Sequence, residues 1–473
     1  MLPPKPWGRP TIAAYGDRRR NCQFQSIPRR SDMSIDIAIV GGTVMPMGGG
    51  KPIENGVVTI SGDKILAVGA AGSIDTDSAA KVIQANNCVV MPGFADSHTH
   101  IASNMLLRGV LEDVRLFEWL ETMWKLKRNF DPETLYSASL LGLVEMVKSG
   151  ITSFNEHFDA YAVEPEIEAL KKIPLRATLG YGFADRGVYV SITDWSWETL
   201  HSFGDLVAKH HNTRDGMLQI GLSPHAPYSC GADMFKLVRE VANAHKVPIH
   251  THLSEGTQEM AYVAEKYGTT PVRWLDSLEF LGPDVTAAHC TQLDHEDARI
   301  LGANGTKIGH CPCCNAKLVS GTMPLKIVRE NNITVGLATD GPASHNTLDM
   351  FQEMKFAGLI HKDKNNDSEF LTTSEILEMA TAEGAKAMNR PETGILESGK
   401  AADVIVVDVD KPHTLPVYDP AAALVYSSRA DDVLHSIVNG KILMENRVVH
   451  GIDEAAIRAD FRLRAHALRD RSL

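Results

Sequence analysis

Between residues 93 and 389 the chain alternates two textures, short apolar runs and longer amphipathic stretches. The runs fall at 94–100, 151–156, 175–180, 217–222, 247–252, 285–289, 307–310 and 333–339. Apolar runs of that length predict strands buried on both faces, and the intervening stretches read as helices. Asp131-Pro132-Glu133 shows how one helix opens, with an N-cap acceptor, a proline at the first helical position and an acidic first turn; Gly150 is its stop. Eight strand–helix repeats predict an α/β fold, a (β/α)8 TIM barrel, because right-handed crossovers return each strand parallel to the last.

The two ends are patterned differently. Runs rich in Val and Ile at 35–40, 56–61, 64–68 and 81–84 are separated by Gly41-Gly42 and Ser61-Gly62-Asp63. Runs at 404–409, 433–438 and 441–444 look alike, with Asn439-Gly440 as a hairpin signal. They predict one small β-sandwich domain built from both chain ends. The expected division is a composite sandwich over 33–90 plus 396–451, a barrel over 91–395 and a C-terminal helix over 452–473. Residues 1–32 carry seven Lys and Arg against two Asp and several prolines without apolar periodicity, so a disordered basic extension is expected there, read as an upstream start with Met33 as the natural one.

Charge narrows the partners. The 473 residues hold 47 Lys and Arg against 59 Asp and Glu, a net −12, which disfavours nucleic acid. No run approaches the roughly 18 apolar residues of a membrane span. Seven cysteines without a secretory leader fit a reducing, cytoplasmic setting better than a disulfide framework.

Chemistry in such a barrel sits at the C-terminal strand ends. Those ends carry His98 and His100, His252, His289 and Asp340. Positions i and i+2 on a strand face the same way, so His98 and His100 can converge on one ion. Neutral imidazole suits Zn2+ or Fe2+, and a carboxylate adds charge. Three His and one Asp leave room for a water, whose pKa a metal lowers toward about 7. Glu255, three residues past His252, can reach over that water and pass protons to a ring nitrogen and a leaving amine, while Asp340 can take the water's proton. One histidine in a sheet is ordinarily a hydrogen-bonded core residue; five candidates at four strand ends of one barrel call for a metal site. For Cys311-Pro312-Cys313-Cys314, apolar packing is expected, since no second cysteine pair lies nearby. Glu156-His157 reads equally as pocket lining or polar capping. No P-loop, dinucleotide fingerprint or H-x-E/P-C-x-x-C deaminase signature is found.

The stretch Pro92-Gly93-Phe94-Ala95-Asp96-Ser97-His98-Thr99-His100 resembles the opening metal motif of the amidohydrolase superfamily. His252-Leu253-Ser254-Glu255, Ala287-Ala288-His289-Cys290, Thr339-Asp340-Gly341 and the segment from Gly394 to Asp403 match too. Leu106-Leu107-Arg108-Gly109, the segment from Ser223 to Cys230 and Cys314-Asn315-Ala316-Lys317-Leu318 look most like the methylthioadenosine/S-adenosylhomocysteine deaminases and their triazine chlorohydrolase relatives. The resemblance implies that His98, His100, His252 and Asp340 bind one divalent ion, Zn2+ with Fe2+ as the alternative. It implies that Glu255 shuttles protons, His289 assists the attacking water and His225 contacts substrate. It also implies a homo-oligomer. The expected activity is hydrolytic deamination of an amino-substituted N-heterocycle, purine-like or pterin-like, by a metal-bound hydroxide. The alternative keeps the metal and hydrolyses a chloride, amide or urea group, as triazine hydrolases do; Asp340-Gly341 counts slightly against dechlorination. A scaffold without catalysis is opposed by the complete ligand set.

Two departures bear on specificity. The deaminase group carries Trp-Pro-x-Glu after the first barrel strand, its Glu holding ribose hydroxyls. Here Lys125 stands in place of the Pro and Lys127 in place of the Glu. An ammonium cannot accept hydrogen bonds from a diol. The usual Ser-Asn-Asn after Thr-Asp-Gly is Ser344-His345-Asn346.

Overall fold

Eight parallel strands follow one another around a single sheet: Phe94–Thr99, Ile151–Phe158, Arg176–Phe183, Leu218–Pro224, Ile249–Leu253, Val285–His289, Lys307–His310 and Val335–Leu337. This computed structural model describes residues 34–158 and 163–472, so the basic extension expected at 1–32 lies outside the described residues. Each strand pairs with its sequence neighbour, and helices cover the outside, the arrangement of a TIM barrel. All eight residues of Ile151–Phe158 are buried, as a strand covered on both faces requires.

The ring closes between its ends. Ser97 Oγ donates to the Leu337 carbonyl at 2.8 Å, and the Asp340 N–H donates to the His98 carbonyl at 2.9 Å. The eighth strand is shorter than its apolar run suggests, ending at Leu337 rather than Thr339. Asp340 follows in a left-handed turn, φ 55°, joined to Thr99 by an isolated parallel bridge. That turn takes the backbone off the ladder and aims the carboxylate across the barrel mouth.

The helix Pro132–Ser149 forms as its sequence implies. Asp131 accepts from the Thr134 N–H at 2.7 Å, and Gly150 ends the helix at φ 87°.

The chain ends build two further sheets. Lys64–Ala70, Gly56–Ser61, Ile37–Val40 and Lys81–Gln84 form one in that order. The other takes Val404–Asp408, Val433–Val438, Lys441–Glu445 and Val448–Val449 from the C-terminal part and Cys88–Pro92, Thr43–Val44 and Ile53–Glu54 from the N-terminal part. Ile39, Val58 and Ile60 of the first sheet share a core with Val90, Val404 and Ile437 of the second, which makes a sandwich. Asn439 at φ 51° and Gly440 at φ 72° form the hairpin turn their pair predicts. The division expected at 90/91 falls inside the strand Cys88–Pro92, which runs through Gly93 directly into the first barrel strand. Buried Arg176 on the third barrel strand grips Asp403 of the sandwich connection with bonds of 2.9 and 3.2 Å. The helix Glu454–Ser472 follows the last strand.

Candidate metal and catalytic centre

His98, His100, His252 and Asp340 meet at the C-terminal mouth of the barrel. Asp340 Oδ1 lies 3.4 Å from His98 Nε2 and 3.4 Å from His100 Nε2. His100 Nε2 and His252 Nε2 are 3.2 Å apart. His98, His100 and Asp340 form one group of close ligand atoms, and His98, His252 and His289 another. These side chains are buried in both groups.

Neighbouring groups set which ring nitrogens can bind a cation. His252 Nδ1 donates to the His225 carbonyl at 2.8 Å, which leaves the Nε2 lone pair facing His100. His98 Nδ1 lies 2.8 Å from His250 Nε2, while His98 Nε2 is buried and finds no hydrogen-bond partner among the described residues. An orphaned imidazole nitrogen beside a carboxylate and other ring nitrogens is a ligand set. Burial pulls the His98 imidazolium down to about 3, so its ring is neutral and able to ligate. Burial works against Asp340 ionising; the imidazoles of His98, His100 and His289 close to it outweigh that and hold the carboxyl well below the usual range. Asp340 Oδ2 accepts from Cys314 Sγ at 2.7 Å and Ser344 Oγ at 2.9 Å, and Oδ1 accepts from the Gly341 N–H at 2.7 Å. The residues present fit a divalent metal.

Glu255 and His289 stand beside this cluster, with 3.9 Å between Oε2 and Nε2. Burial, and then the charge of Asp340, push the Glu255 carboxyl up to about 8. His289 Nδ1 donates to Asn315 Oδ1 at 2.9 Å, so Nε2 faces Glu255. The His289 backbone is left-handed, φ 74°, as Asp340's is, an uncommon conformation for residues with a Cβ and one that gathers at active sites. His225 lies at the other wall, with Nε2 2.9 Å from the Tyr189 hydroxyl and Nδ1 2.8 Å from Ser229 Oγ.

His100, His225, His252, Glu255, His289 and Asp340 line a cavity of about 30 Å³ whose apolar faces come from Trp119, Leu120, Tyr228 and Leu318. Lys127, standing where a carboxylate is expected, is buried in the same wall. Glu156 does the work of a cap: its oxygens accept the Ile101 and Ala102 N–H groups at 2.8 and 3.2 Å and hold the turn after His100. His157 packs on His252, ring centroids 4.4 Å apart. Cys311 and Cys314 belong to the apolar core as expected. Cys314 also donates to Asp340, a contact that sequence reasoning missed, along with those of His250 and Asn315. An i+2 histidine pair, His250-Thr251-His252, was the available signal for His250.

A barrel with buried imidazoles and a carboxylate gathered at its C-terminal mouth belongs among metal-dependent hydrolases of the TIM-barrel class. The chain belongs to the amidohydrolase family, which matches residues 89–443. It is 37% identical over 439 residues to a 5-methylthioadenosine/S-adenosylhomocysteine deaminase of Pelotomaculum thermopropionicum, covering 92% of this chain and 99% of that one. An adenosine deaminase from Xanthomonas campestris with bound zinc superposes with TM-score 0.86 at 30% identity, covering 93% of this chain and 98% of that one. An atrazine chlorohydrolase from Arthrobacter aurescens TC1 complexed with zinc reaches 0.84 at 25% identity, covering 91% of this chain and 100% of that one. No helix among the described residues is long and apolar enough to cross a membrane.

Proposed function

We propose that the protein hydrolytically deaminates an amino-substituted N-heterocycle, with adenosine derivatives the first class and pterin-like rings the second. One observation carries this: buried Glu255 and His289 stand beside the His98–His100–His252–Asp340 cluster, and all of these except His98 line one cavity. The deaminase relatives and the zinc-bound adenosine deaminase support the same reading.

His98, His100, His252 and Asp340 would hold one ion, Zn2+ by preference. Bound there, a divalent ion supplies a water acidified toward a pKa of about 7. Asp340 takes a proton from the attacking water. Protonated Glu255 donates to the ring nitrogen next to the attacked carbon; its carboxylate then takes the added hydroxyl's proton as the carbonyl forms and passes it to the departing amine, and the proton held by Asp340 reloads Glu255 as ammonia leaves. His289, kept neutral by burial and aimed by Asn315, accepts a hydrogen bond at Nε2 and orients the nucleophile. His225 contacts the ring from the Tyr189 side. Lys127 favours a substrate whose far end presents a hydrogen-bond acceptor.

A second reading, hydrolysis of a chloride, amide or urea group on a triazine, draws on the atrazine chlorohydrolase match and on the lysine in the cavity wall. A release screen separates the two. Adenosine derivatives, pterins, guanine analogues, cytosines and triazines are incubated with the enzyme, and ammonia and chloride are measured. Ammonia from a purine or pterin is the expected result. Chloride release, or ammonia from none of the rings, rejects deamination.

A further inference from the structure

Beside the catalytic cluster but outside its cavity lies a second group of ligand-bearing side chains. Cys313 is the second residue of the short helix Pro312–Lys317 after the seventh strand, His345 lies in the loop after Asp340, and Glu353 sits in the helix Met350–Asn365. Their Sγ, imidazole nitrogen and carboxylate oxygen all lie within 4.8 Å of one another. His345 and Glu353 are buried, and Cys313 is half-buried. His345 Nδ1 and Glu353 Oε1 stand 3.0 Å apart as a buried ion pair outside good hydrogen-bond geometry, and neither atom finds another partner among the described residues. The carboxylate is held for this: Glu353 Oε2 accepts the Cys313 N–H at 3.2 Å, which turns Oε1 toward His345.

We infer that Cys313, His345 and Glu353 form a second, structural site for a divalent ion of the zinc class, separate from the catalytic one. Thiolate, imidazole and carboxylate are a donor set that zinc accepts, and two anions with a neutral ring balance its charge. Tetrahedral zinc with bonds of about 2.0–2.3 Å spaces its ligand atoms about 3.3–3.8 Å apart, so the wider pairs close by no more than about 1.5 Å and the His345–Glu353 pair opens by a few tenths of an ångström. Cys313 binds as thiolate and its proton goes to solvent; a water completes the shell. The site joins the loops after the seventh and eighth strands. Asp340 leaves the same turn as His345, and Cys314, adjacent to Cys313, donates to Asp340 Oδ2. An ion here therefore pins the two loops that aim the catalytic carboxylate. The assignment does not depend on which reaction the enzyme performs.

The test uses the full chain. Cobalt replaces the bound metal, and the near-ultraviolet thiolate-to-cobalt charge-transfer absorption is recorded alongside metal content per chain. The catalytic ligands are nitrogen and oxygen, so that absorption reports cysteine alone. Expected are the band in the wild type, its loss in Cys313→Ser, and a fall of one metal equivalent per chain in that variant. Glu353→Gln, which preserves shape, is expected to lose the same equivalent and serves if Cys313→Ser does not fold. A cobalt form without the band overturns the site. So does a band that survives Cys313→Ser, which would put the thiolate on Cys314.

Discussion

Glu255 is a carboxylic acid set where solvent hardly reaches it, and its chemistry follows from that. Replacing it with Gln keeps shape and one hydrogen-bond donor but removes the transferable proton. Glu255→Gln is expected to keep full metal content and to lose about 10²- to 10⁴-fold in kcat; an unchanged ammonia-release rate would remove its role as shuttle. The same burial fixes a pH dependence. With its carboxyl raised to about 8, Glu255 holds its proton at neutral pH and loses it as pH climbs through that value. The donor form exists below the raised pKa, so kcat/KM is expected to fall above pH of about 8 with the loss of one proton, and a profile flat from about 7 to 9 contradicts this. His98→Ala and Asp340→Ala each remove a group from the proposed ligand cluster, and metal analysis is expected to find less than half the wild-type content in both. Full occupancy in either places the ion elsewhere. At this scale the strand-end residues were legible because alternation on a strand and the rule that barrel chemistry lies at one end depend only on the sequence. The Asn315–His289 and Cys314–Asp340 contacts were not, because they join loops whose approach depends on how successive strands stagger.

Elements put those side chains where they are, and the helix Pro132–Ser149 shows the energetics. It lies under the turn after the first barrel strand, where a Cβ on Gly142 would stand 3.1 Å from the Ile101 side chain. Asp131→Ala removes the N-cap acceptor and is expected to cost about 1 kcal/mol in denaturant unfolding. Gly150→Ala is expected to cost more. At φ 87° an L-residue is strained by about 1–2 kcal/mol, and the added Cβ would stand 3.0 Å from Ile405 Cδ1 in the composite sheet. A smaller loss for Gly150→Ala than for Asp131→Ala would deny that crowding. This helix could be read from Asp131, Pro132 and Gly150 because caps are local. The end of the eighth strand could not: 333–339 holds no charge or breaking proline, but the left-handed turn at Asp340 and the closure onto Thr99 are tertiary events that end the ladder early. The helix Pro312–Lys317 was obscured for another reason: Pro312 at its first position is a start signal, but six residues are too few to show helical spacing.

The whole molecule depends on a sandwich made from two chain ends staying seated on the barrel, and the contact between Arg176 and Asp403 is where charge is committed to that. Arg176 Nη2 also donates to Asn439 Oδ1 at 3.2 Å, and Asp403 Oδ1 accepts the Asn439 N–H at 2.8 Å, so the pair ties a barrel strand to the hairpin turn of the far sheet. Both partners are almost wholly withdrawn from water, with side chains 4% and 1% exposed. An ion pair so buried gains little over a well-packed neutral pair, but breaking it by removing one partner strands the other charge. Arg176→Met is therefore expected to cost about 3–5 kcal/mol, read as a lowered midpoint of thermal or denaturant unfolding. The double variant Arg176→Met with Asp403→Asn leaves no charge behind and keeps an acceptor for the Asn439 N–H. It is expected to recover most of that loss. Metal content and ammonia release below the midpoint should stay at wild-type levels in both, because the pair lies at the N-terminal start of the third strand, away from the mouth that gathers the histidines. A single-variant loss below about 1 kcal/mol would show that water reaches the pair. A double variant no better than the single would show that the hydrogen bonds to Asn439, rather than the opposed charges, hold the sandwich on the barrel.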